Sequence, residues 1–235
     1  MALTAVQLAG MIDHTFLKAF GGRGDVEKLC REAWQYGFAT VMVNPAEIEN
    51  CLRLLEGCPV KVGTVAGFPL GQNTSAVKEF EIKDCLSRGA REIDMVINIR
   101  ALQIGDQVIV TEEMAVLADL CRRAGAVSKT ILEMCYLNEE EKRTACRLGK
   151  EAGVDFVKTS TGFGAGGATV ADVKLMRQAV GGDTGIKAAG GIRSLQDALA
   201  MIGAGANRLG TSNGVAIIEQ MLTGASGTEA RPAGY

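Results

Sequence analysis

Short apolar runs alternate regularly with segments of helical pattern along this sequence. Eight such runs begin roughly 20–37 residues apart, and several are almost continuously apolar. Continuous apolar runs of this length are typical of parallel strands that are covered on both faces. The predicted strands are Met11–Leu17, Phe38–Asn44, Val60–Phe68, Glu92–Asn98, Lys129–Cys135, Asp155–Ser160, Gly185–Ala189 and Asn207–Thr211.

Capping residues indicate where the helices between these runs begin and end. Asp25 is predicted to cap a helix that stops at Gly37. At three later positions a Ser, Thr or Asn is followed three residues on by an acidic residue, which is the pattern of a capping box. These pairs are Asn138 with Glu141, Thr169 with Asp172, and Ser194 with Asp197. Strands that alternate with capped helices predict βαβ units and a parallel sheet.

Eight such units in 235 residues predict an α/β protein of a single domain, a (β/α)₈ TIM barrel over residues 1–223. The alternative is an open doubly wound sheet, but no GxGxxG motif follows the first predicted strand. The last residues, 224–235, are small and polar, and we predict that they form a flexible tail.

Charge and hydropathy patterns exclude several kinds of partner. The chain has 25 basic and 27 acidic residues without a block of like charge, so we expect neither nucleic acid nor a membrane surface as partner. No apolar run approaches the ~18 residues of a transmembrane helix, and the first residues lack the pattern of a secretion signal. Seven cysteines, an odd number without a CxxC pair, are interpreted as reduced thiols of a cytoplasmic protein.

His14 is the single histidine of the chain. Zinc aldolases, Ser-His-Asp hydrolases and facial-triad iron enzymes usually need histidine at the reacting centre. Cysteines and carboxylates form no cluster with metal-ligand spacing in the sequence, so we expect no metal and no cofactor. The chemistry should then rest on Lys, Asp, Glu, Cys or backbone groups, and His14 itself is interpreted as structural.

Charged residues inside the apolar strands are the candidate catalytic residues, because the active sites of such barrels lie at the carboxyl ends of the strands. On the first, fourth, sixth and seventh predicted strands these residues are Asp13, Asp94, Lys158 and Lys187. Alternation along Glu92–Asn98 turns Asp94 away from the apolar set and into the barrel. An unpaired charge there would be unfavourable, so the four residues should form one cluster.

The two lysines indicate a nucleophilic amine. Neighbouring strands lie about 4.8 Å apart, and two ammonium groups ~5 Å apart repel by about 3 kcal/mol at an effective dielectric constant of ~20. Repulsion and desolvation together would leave one lysine as the free amine that Schiff-base formation needs. The second lysine and a carboxylate could then shuttle protons. The competing interpretation is a set of salt bridges that only stabilises the barrel.

Loops rich in glycine and hydroxyl groups follow the last strands and indicate a phosphate site. Gly190 and Gly191 follow the seventh strand, residues 210–214 follow the eighth, and Ser160–Gly164 is a third loop of this kind. Glycine lets the backbone approach an anion, and helix N-termini offer free N–H groups. The loops after strands seven and eight are the usual phosphate site of such barrels. For either loop alone, ordinary turn and capping chemistry is the alternative.

Seven segments of the chain resemble the deoxyribose-phosphate aldolase family and occur in the family's order. They are Ile12–Thr15, Val43–Pro45, Gly67–Gly71, Glu92–Asn98, Phe156–Phe163, Gly185–Arg193 and Arg208–Ser212. The segments that contain Asp94, Lys158 and Lys187 are the most specific, and the seven together span nearly the whole chain. In two departures, Ala19 and Met42 stand where relatives often carry Pro and Cys, and neither change touches the expected chemistry.

The resemblance implies reversible cleavage of 2-deoxy-D-ribose 5-phosphate to D-glyceraldehyde 3-phosphate and acetaldehyde. It implies that Lys158 forms the Schiff base and that Lys187 and Asp94 donate and accept protons. Asp13 would support Lys187. The phosphate-binding residues implied by the match are Gly162, Gly190, Gly191, Gly210 and Ser212. Tyr235 could match a terminal tyrosine that helps proton transfer in some members, but we interpret it as part of the flexible tail.

Two other functions remain compatible with the same residues. One is another class I sugar-phosphate aldolase or a transaldolase, which would use the same imine chemistry on a different substrate. The other is a catalytically silent barrel that binds a sugar phosphate, although binding alone does not require two adjacent lysines. Homodimers and homotetramers are the expected assemblies.

Overall fold

The computed structural model describes residues 3–224, in which eight parallel strands close into a barrel in the order of the sequence. The predicted (β/α)₈ barrel is therefore confirmed. The strands are β1 Ile12–Phe16, β2 Thr40–Val43, β3 Lys61–Ala66, β4 Glu92–Val96, β5 Val127–Ile131, β6 Phe156–Lys158, β7 Gly185–Ala189 and β8 Arg208–Thr211.

Helices surround the barrel and connect successive strands. Within the described residues they are α1 Ala5–Ala9, α2 Arg23–Tyr36, α3 Ile48–Leu54, α4 Ser75–Ser87, α5 Ile99–Gln103, α6 Gln107–Arg123, α7 Glu139–Glu151, α8 Val170–Val180, α9 Leu195–Ala204 and α10 Gly214–Thr223. Two 3₁₀ turns, Pro45–Glu47 and Met134–Tyr136, follow β2 and β5. No helix in this part of the chain is both long enough and apolar enough to cross a membrane. Apart from Gly224, the predicted tail with Tyr235 lies outside the described residues.

Seven of the eight strands lie within their predicted runs, and the fifth differs. The sequence pattern predicts this strand over Lys129–Cys135, and that prediction is wrong at both ends. The strand begins earlier because the Val127 N–H donates to the Arg91 carbonyl at 2.9 Å. It ends earlier because Glu133 adopts the left-handed conformation, with φ of 54°, which a strand cannot accommodate.

The predicted helix caps are confirmed at three helices and wrong at one. Asn138, Thr169 and Ser194 each accept a hydrogen bond from the backbone N–H three residues later. Asp25 is not an N-cap: α2 begins two residues before it, and its carboxylate accepts a bond of 2.8 Å from the N–H of Gly22. Gly22 is the N-cap residue, but it has no side chain that could accept a hydrogen bond from the first turn. The carboxylate of Asp25 in that turn instead accepts a hydrogen bond from the free N–H of Gly22.

The fold separates an apolar layer from a charged barrel interior. Along β4, Ile93 and Met95 join the apolar core between the strands and the helices, whereas Asp94 is fully buried inside the barrel. Strand register brings the charged residues together, since Asp94 is the Cα partner of Lys129 and Lys158 is the Cα partner of Lys187. The alternation that was expected for β4 therefore places Asp94 at the centre of the barrel.

Candidate active site

Seven charged side chains from six strands fill the barrel interior and form what we call the buried charge cluster. Its members are Asp13, Glu92, Asp94, Lys129, Lys158, Lys187 and Arg208. All are buried except Arg208, whose side chain is 14% exposed. The structure thus brings together the four charged residues that the sequence indicated and adds three more.

Asp94 occupies the centre of the cluster and contacts three lysines. Its Oδ1 lies 2.9 Å from the Nζ of Lys129. Its Oδ2 lies 2.8 Å from the Nζ of Lys158 and 2.7 Å from that of Lys187. Burial alone would raise the pKa of Asp94, but attraction by the three lysines holds it well below its usual value. Asp94 is therefore an ionised acceptor throughout the neutral range.

The remaining contacts connect the cluster from one side of the barrel to the other. Lys187 lies 2.5 Å from Asp13 Oδ2, and Arg208 lies 2.8 Å from Asp13 Oδ1. Lys129 lies 2.5 Å from Glu92 and 3.6 Å from Asp13. Burial raises the pKa of Asp13, but Lys187 and the other cations reverse this and hold it well below its usual value. Asp13 therefore supplies a fixed negative charge beside Lys187.

The distribution of partners distinguishes Lys158 from the other cations of the cluster. Three carboxylates face four basic groups, so one basic group lacks a full charge partner. Among the described residues, Lys158 contacts one carboxylate and shares its oxygen with Lys187. Lys129, Lys187 and Arg208 each contact two or more. Loss of a proton is therefore least unfavourable at Lys158.

The pKa of the Lys158 ammonium is lowered from 10.5 to about 8, and burial is the largest cause. Attraction by Asp94 opposes the shift, and repulsion by Lys187 contributes to it after these two effects. Desolvation and repulsion between the two lysines, the two causes expected from the sequence, both lower this pKa, and the depth of burial has the larger effect. With a pKa of about 8, roughly a tenth of the molecules carry the free amine at pH 7.

A cavity of about 350 Å³ opens over the carboxyl ends of β1, β6, β7 and β8. Within the described residues Lys158 is the one member of the charge cluster that lines it. The five residues predicted to bind phosphate also line this cavity, namely Gly162, Gly190, Gly191, Gly210 and Ser212. Two cations that the sequence analysis did not single out, Lys18 and Arg193, complete a basic rim.

At two of these positions close packing with neighbouring residues requires glycine, in addition to any role of that glycine in binding a ligand. Gly190 has φ of 83°, and a Cβ there would lie 2.9 Å from the Cα of Gly167. At Gly210 a Cβ would lie 3.0 Å from the Cε of Lys187. Gly210 thus lets the Lys187 side chain pass close to β8, which is a structural reason for glycine that the sequence pattern did not reveal.

Glu133 is a residue of the site that the sequence analysis missed. It is the one non-glycine residue with positive φ in residues 3–224, and its carboxylate is buried. The carboxylate accepts a bond of 3.2 Å from the Thr161 N–H and a second bond from the Thr161 hydroxyl. The Thr161 Oγ1 in turn accepts from the Phe163 N–H at 3.0 Å. Glu133 therefore fixes the turn that carries Gly162 into the cavity.

A common signal could have found Lys129 and Glu133. Both are charged and both lie in the apolar run predicted as the fifth strand, so the rule that selected Asp94 applies to them as well. Arg208 is charged too and lies in the run predicted as the eighth strand, Asn207–Thr211, so the same rule applies to it. It is the first residue of β8, and its contact with Asp13 joins residues 195 positions apart.

His14 lies on the outer face of β1, away from the charge cluster. Its Nε2 lies 2.8 Å from Glu32 Oε2 on α2, and its ring packs at 4.9 Å from that of Phe38. Burial lowers the pKa of His14 despite the carboxylate. The structural interpretation of this residue agrees with that position. Within residues 3–224 no group of three or more His, Cys, Asp or Glu side chains is arranged to hold a metal ion.

Comparisons with known proteins agree with this geometry. A family model described as the DeoC/LacD family aldolase matches residues 7–220. A deoxyribose-phosphate aldolase of Bacteroides thetaiotaomicron is 60% identical over 217 residues, which cover 92% of this chain and 91% of the relative. One from Thermococcus gammatolerans is 53% identical, with 92% and 97% covered. The deoxyribose-phosphate aldolase structure from Aeropyrum pernix, described as a unique tetramer, superposes with a TM-score of 0.87 at 35% identity over 94% of each chain.

Proposed function

Because the chain belongs to the DeoC/LacD family of aldolases, we propose a residue-by-residue mechanism in which Lys158 forms the Schiff base. The activity is that of a deoxyribose-phosphate aldolase, the reversible cleavage of 2-deoxy-D-ribose 5-phosphate to D-glyceraldehyde 3-phosphate and acetaldehyde. The observation that carries the mechanism is the position of Lys158. It is the buried lysine that faces the cavity, has one carboxylate partner and has a pKa of about 8.

Imine formation begins with attack of the Lys158 amine on the C1 aldehyde of the open-chain sugar. The carbinolamine loses water when its hydroxyl takes a proton, and Lys187 is the donor that we assign. Its Nζ lies 2.7 Å from the same Asp94 oxygen that Lys158 contacts, so the two lysines exchange protons through one carboxylate. Asp13, at 2.5 Å from Lys187, keeps the donor in place.

Cleavage breaks the C2–C3 bond of the iminium intermediate. The C3 hydroxyl loses its proton to the Asp94 and Lys187 pair, C3 becomes the aldehyde of glyceraldehyde phosphate, and the bonding electrons move to the iminium nitrogen. The resulting enamine takes a proton at C2, and water then releases acetaldehyde and free Lys158. Ionised Asp94 suits the acceptor role because three lysines hold its pKa low.

We assign the substrate phosphate to the outer part of the cavity. Gly162, Gly190, Gly191, Gly210 and Ser212 line it there. Glycines allow close approach of backbone N–H groups to an anion. Lys18 and Arg193 line the same cavity and add positive charge. In this proposal the phosphate lies at one end of the sugar and Lys158 at the other.

Two observations bear on assembly and location. All seven cysteines are free thiols in the structure, which agrees with a reducing cytoplasm. The tetramer described for the Aeropyrum pernix relative supports a homotetramer or homodimer for this chain. Light scattering of the purified protein measures the assembly directly, and a mass of one chain at working concentration would contradict it.

The mechanism is tested by trapping the imine. Purified protein is incubated with acetaldehyde, reduced with borohydride and measured as intact mass, and the modified peptide is then sequenced. One ethyl group on Lys158 is expected, and Lys158→Met should remain unmodified. An adduct on Lys187 alone would reverse the roles of the two lysines, whereas a wild-type protein that turns over substrate without any adduct would exclude the Schiff base.

A further inference from the structure

Two residues of the charge cluster, Lys129 and Glu92, have no role in the mechanism. Lys129 is buried on the Oδ1 side of Asp94 with Glu92 beyond it, whereas the two reacting lysines contact Oδ2. Lys129 contacts Glu92 at 2.5 Å, Asp94 at 2.9 Å and Asp13 at 3.6 Å. The mechanism therefore does not explain why Lys129 contacts three carboxylates.

We propose that Lys129 is a positioning residue that orients Asp94 from below and, with Glu92, determines that Lys158 is the lysine that gives up its proton. This inference rests on the Schiff-base role of Lys158. Lys129 is the Cα partner of Asp94 on the neighbouring strand and occupies its Oδ1. The carboxylate therefore presents Oδ2 to both Lys158 and Lys187.

The electrostatic part of the proposal follows from all charged groups that face Lys129 inside the barrel. From β1 and β4 these are Asp13, Glu92 and Asp94, and from β6, β7 and β8 they are Lys158, Lys187 and Arg208. With Lys129 charged, the three carboxylates are balanced by the three basic groups other than Lys158. Without that charge, the carboxylates would need the Lys158 proton for balance, and the fraction of free amine at neutral pH would fall below that of the wild-type protein.

Changes at Lys129 and Glu92 should therefore act in opposite directions. Lys129→Met keeps the length of the side chain and deletes a positive charge, so the protonated form of Lys158 becomes more favourable. Glu92→Gln keeps the shape and deletes a negative charge, so the free amine becomes more favourable. The double variant restores the charge balance. Charges several ångströms apart in such an interior shift a titration midpoint by about one to two pH units.

The test is the pH profile of imine formation, measured as ethyl adduct on Lys158 after a brief incubation with acetaldehyde and a borohydride quench. We expect the midpoint to rise by about one to two pH units in Lys129→Met, to fall in Glu92→Gln and to return near the wild-type value in the double variant. At pH 7 the adduct rate of Lys129→Met should be about tenfold to a hundredfold below wild type and should recover at high pH.

Lys78→Met is the matched control. Lys78 is equally buried and lies 2.7 Å from Glu113, but this pair joins α4 and α6 outside the barrel. Its loss should lower stability and leave the midpoint unchanged. The proposal would be overturned if the midpoints of Lys129→Met and Glu92→Gln coincide with that of wild type, or if both move in the same direction. If Lys129→Met does not fold, Glu92→Gln decides alone: a lower midpoint supports the proposal and an unchanged or higher one refutes it. A wild-type protein without an adduct would instead refute the mechanism itself.

Discussion

Lys158 and Lys187 are register partners on neighbouring strands, and their Nζ atoms lie 2.8 and 2.7 Å from the same oxygen of Asp94. The two lysines differ in what else they contact. Lys187 also lies 2.5 Å from Asp13, while Lys158 lines the cavity. One carboxylate thus connects a buried amine at the cavity, which can react, to a doubly paired ammonium, which can hold a proton.

Lys187→Leu should separate the effect of Lys187 on the pKa of Lys158 from its role in proton transfer. The change deletes the ammonium whose repulsion lowers the pKa of Lys158, although burial remains the larger cause. We expect imine formation at pH 7 to slow by about tenfold, because one pKa unit is 1.36 kcal/mol, and to recover at higher pH. Turnover should stay low at every pH because the proton donor is missing. The pH profiles of imine trapping and of turnover, measured on the folded variant, check both parts; superimposable trapping profiles would show that Lys187 does not tune Lys158.

Asp94→Asn should have the opposite effect on the amine and a severe effect on turnover. Attraction by Asp94 raises the pKa of Lys158, so its removal should lower that pKa further and extend imine formation to lower pH. General acid–base catalysis typically contributes 10²–10⁴-fold, and we expect a loss of turnover of about that size. Trapping with acetaldehyde and the steady-state rate provide the two measurements. Imine formation that fails at all pH values in a folded variant would place Asp94 in the first step instead.

Imine formation by the wild-type protein should rise with pH through about 8, the pKa of Lys158.

The lowered pKa of Lys158 also predicts how the stability of the protein changes with pH. Its pKa is 10.5 when unfolded and about 8 when folded, so between these values the unfolded chain binds more protons. The contribution of Lys158 to the free energy of unfolding therefore increases as pH rises through this window. Lys158→Met should lose that increase in denaturant titrations at pH 7.5 and about 10, and an identical pH slope in the variant and in wild type would contradict the assigned pKa.

The sequence could predict the barrel because eight apolar runs needed covering on both faces. It could also predict Asp94, Lys158 and Lys187, since charges in such runs must meet inside the barrel. Other features depend on contacts between distant segments. The left-handed turn at Glu133 is held by Thr161 on the next strand's loop, and Arg208 contacts Asp13 because the barrel closes between β8 and β1. The depth of burial that dominates the pKa of Lys158 is likewise a property of the assembled barrel.

Glu133 provides the test of the phosphate assignment. Its buried carboxylate holds the Thr161 N–H and hydroxyl, and through them the turn at Gly162. Glu133→Ala should leave these donors unsatisfied, at a cost of about 1–3 kcal/mol, and loosen the loop that lines the outer cavity. We expect KM for 2-deoxyribose 5-phosphate to rise about tenfold with a smaller change in kcat.

Two comparisons decide what Glu133 acts on. The ethyl adduct on Lys158 should form at the wild-type rate in Glu133→Ala, because acetaldehyde has no phosphate, and unphosphorylated 2-deoxyribose should be cleaved with unchanged efficiency. Thr161→Ser keeps the hydroxyl that links Glu133 to the Phe163 N–H and should behave like wild type, whereas Thr161→Val should resemble Glu133→Ala.

The β5 and β6 strands are also joined at this point, since the N–H groups of Leu132 and Met134 donate to the carbonyls of Lys158 and Thr159 at 2.9 Å. An equal loss with phosphorylated and unphosphorylated substrates would therefore mean that Glu133 supports the Lys158 strand, and the phosphate would have to be assigned elsewhere in the cavity.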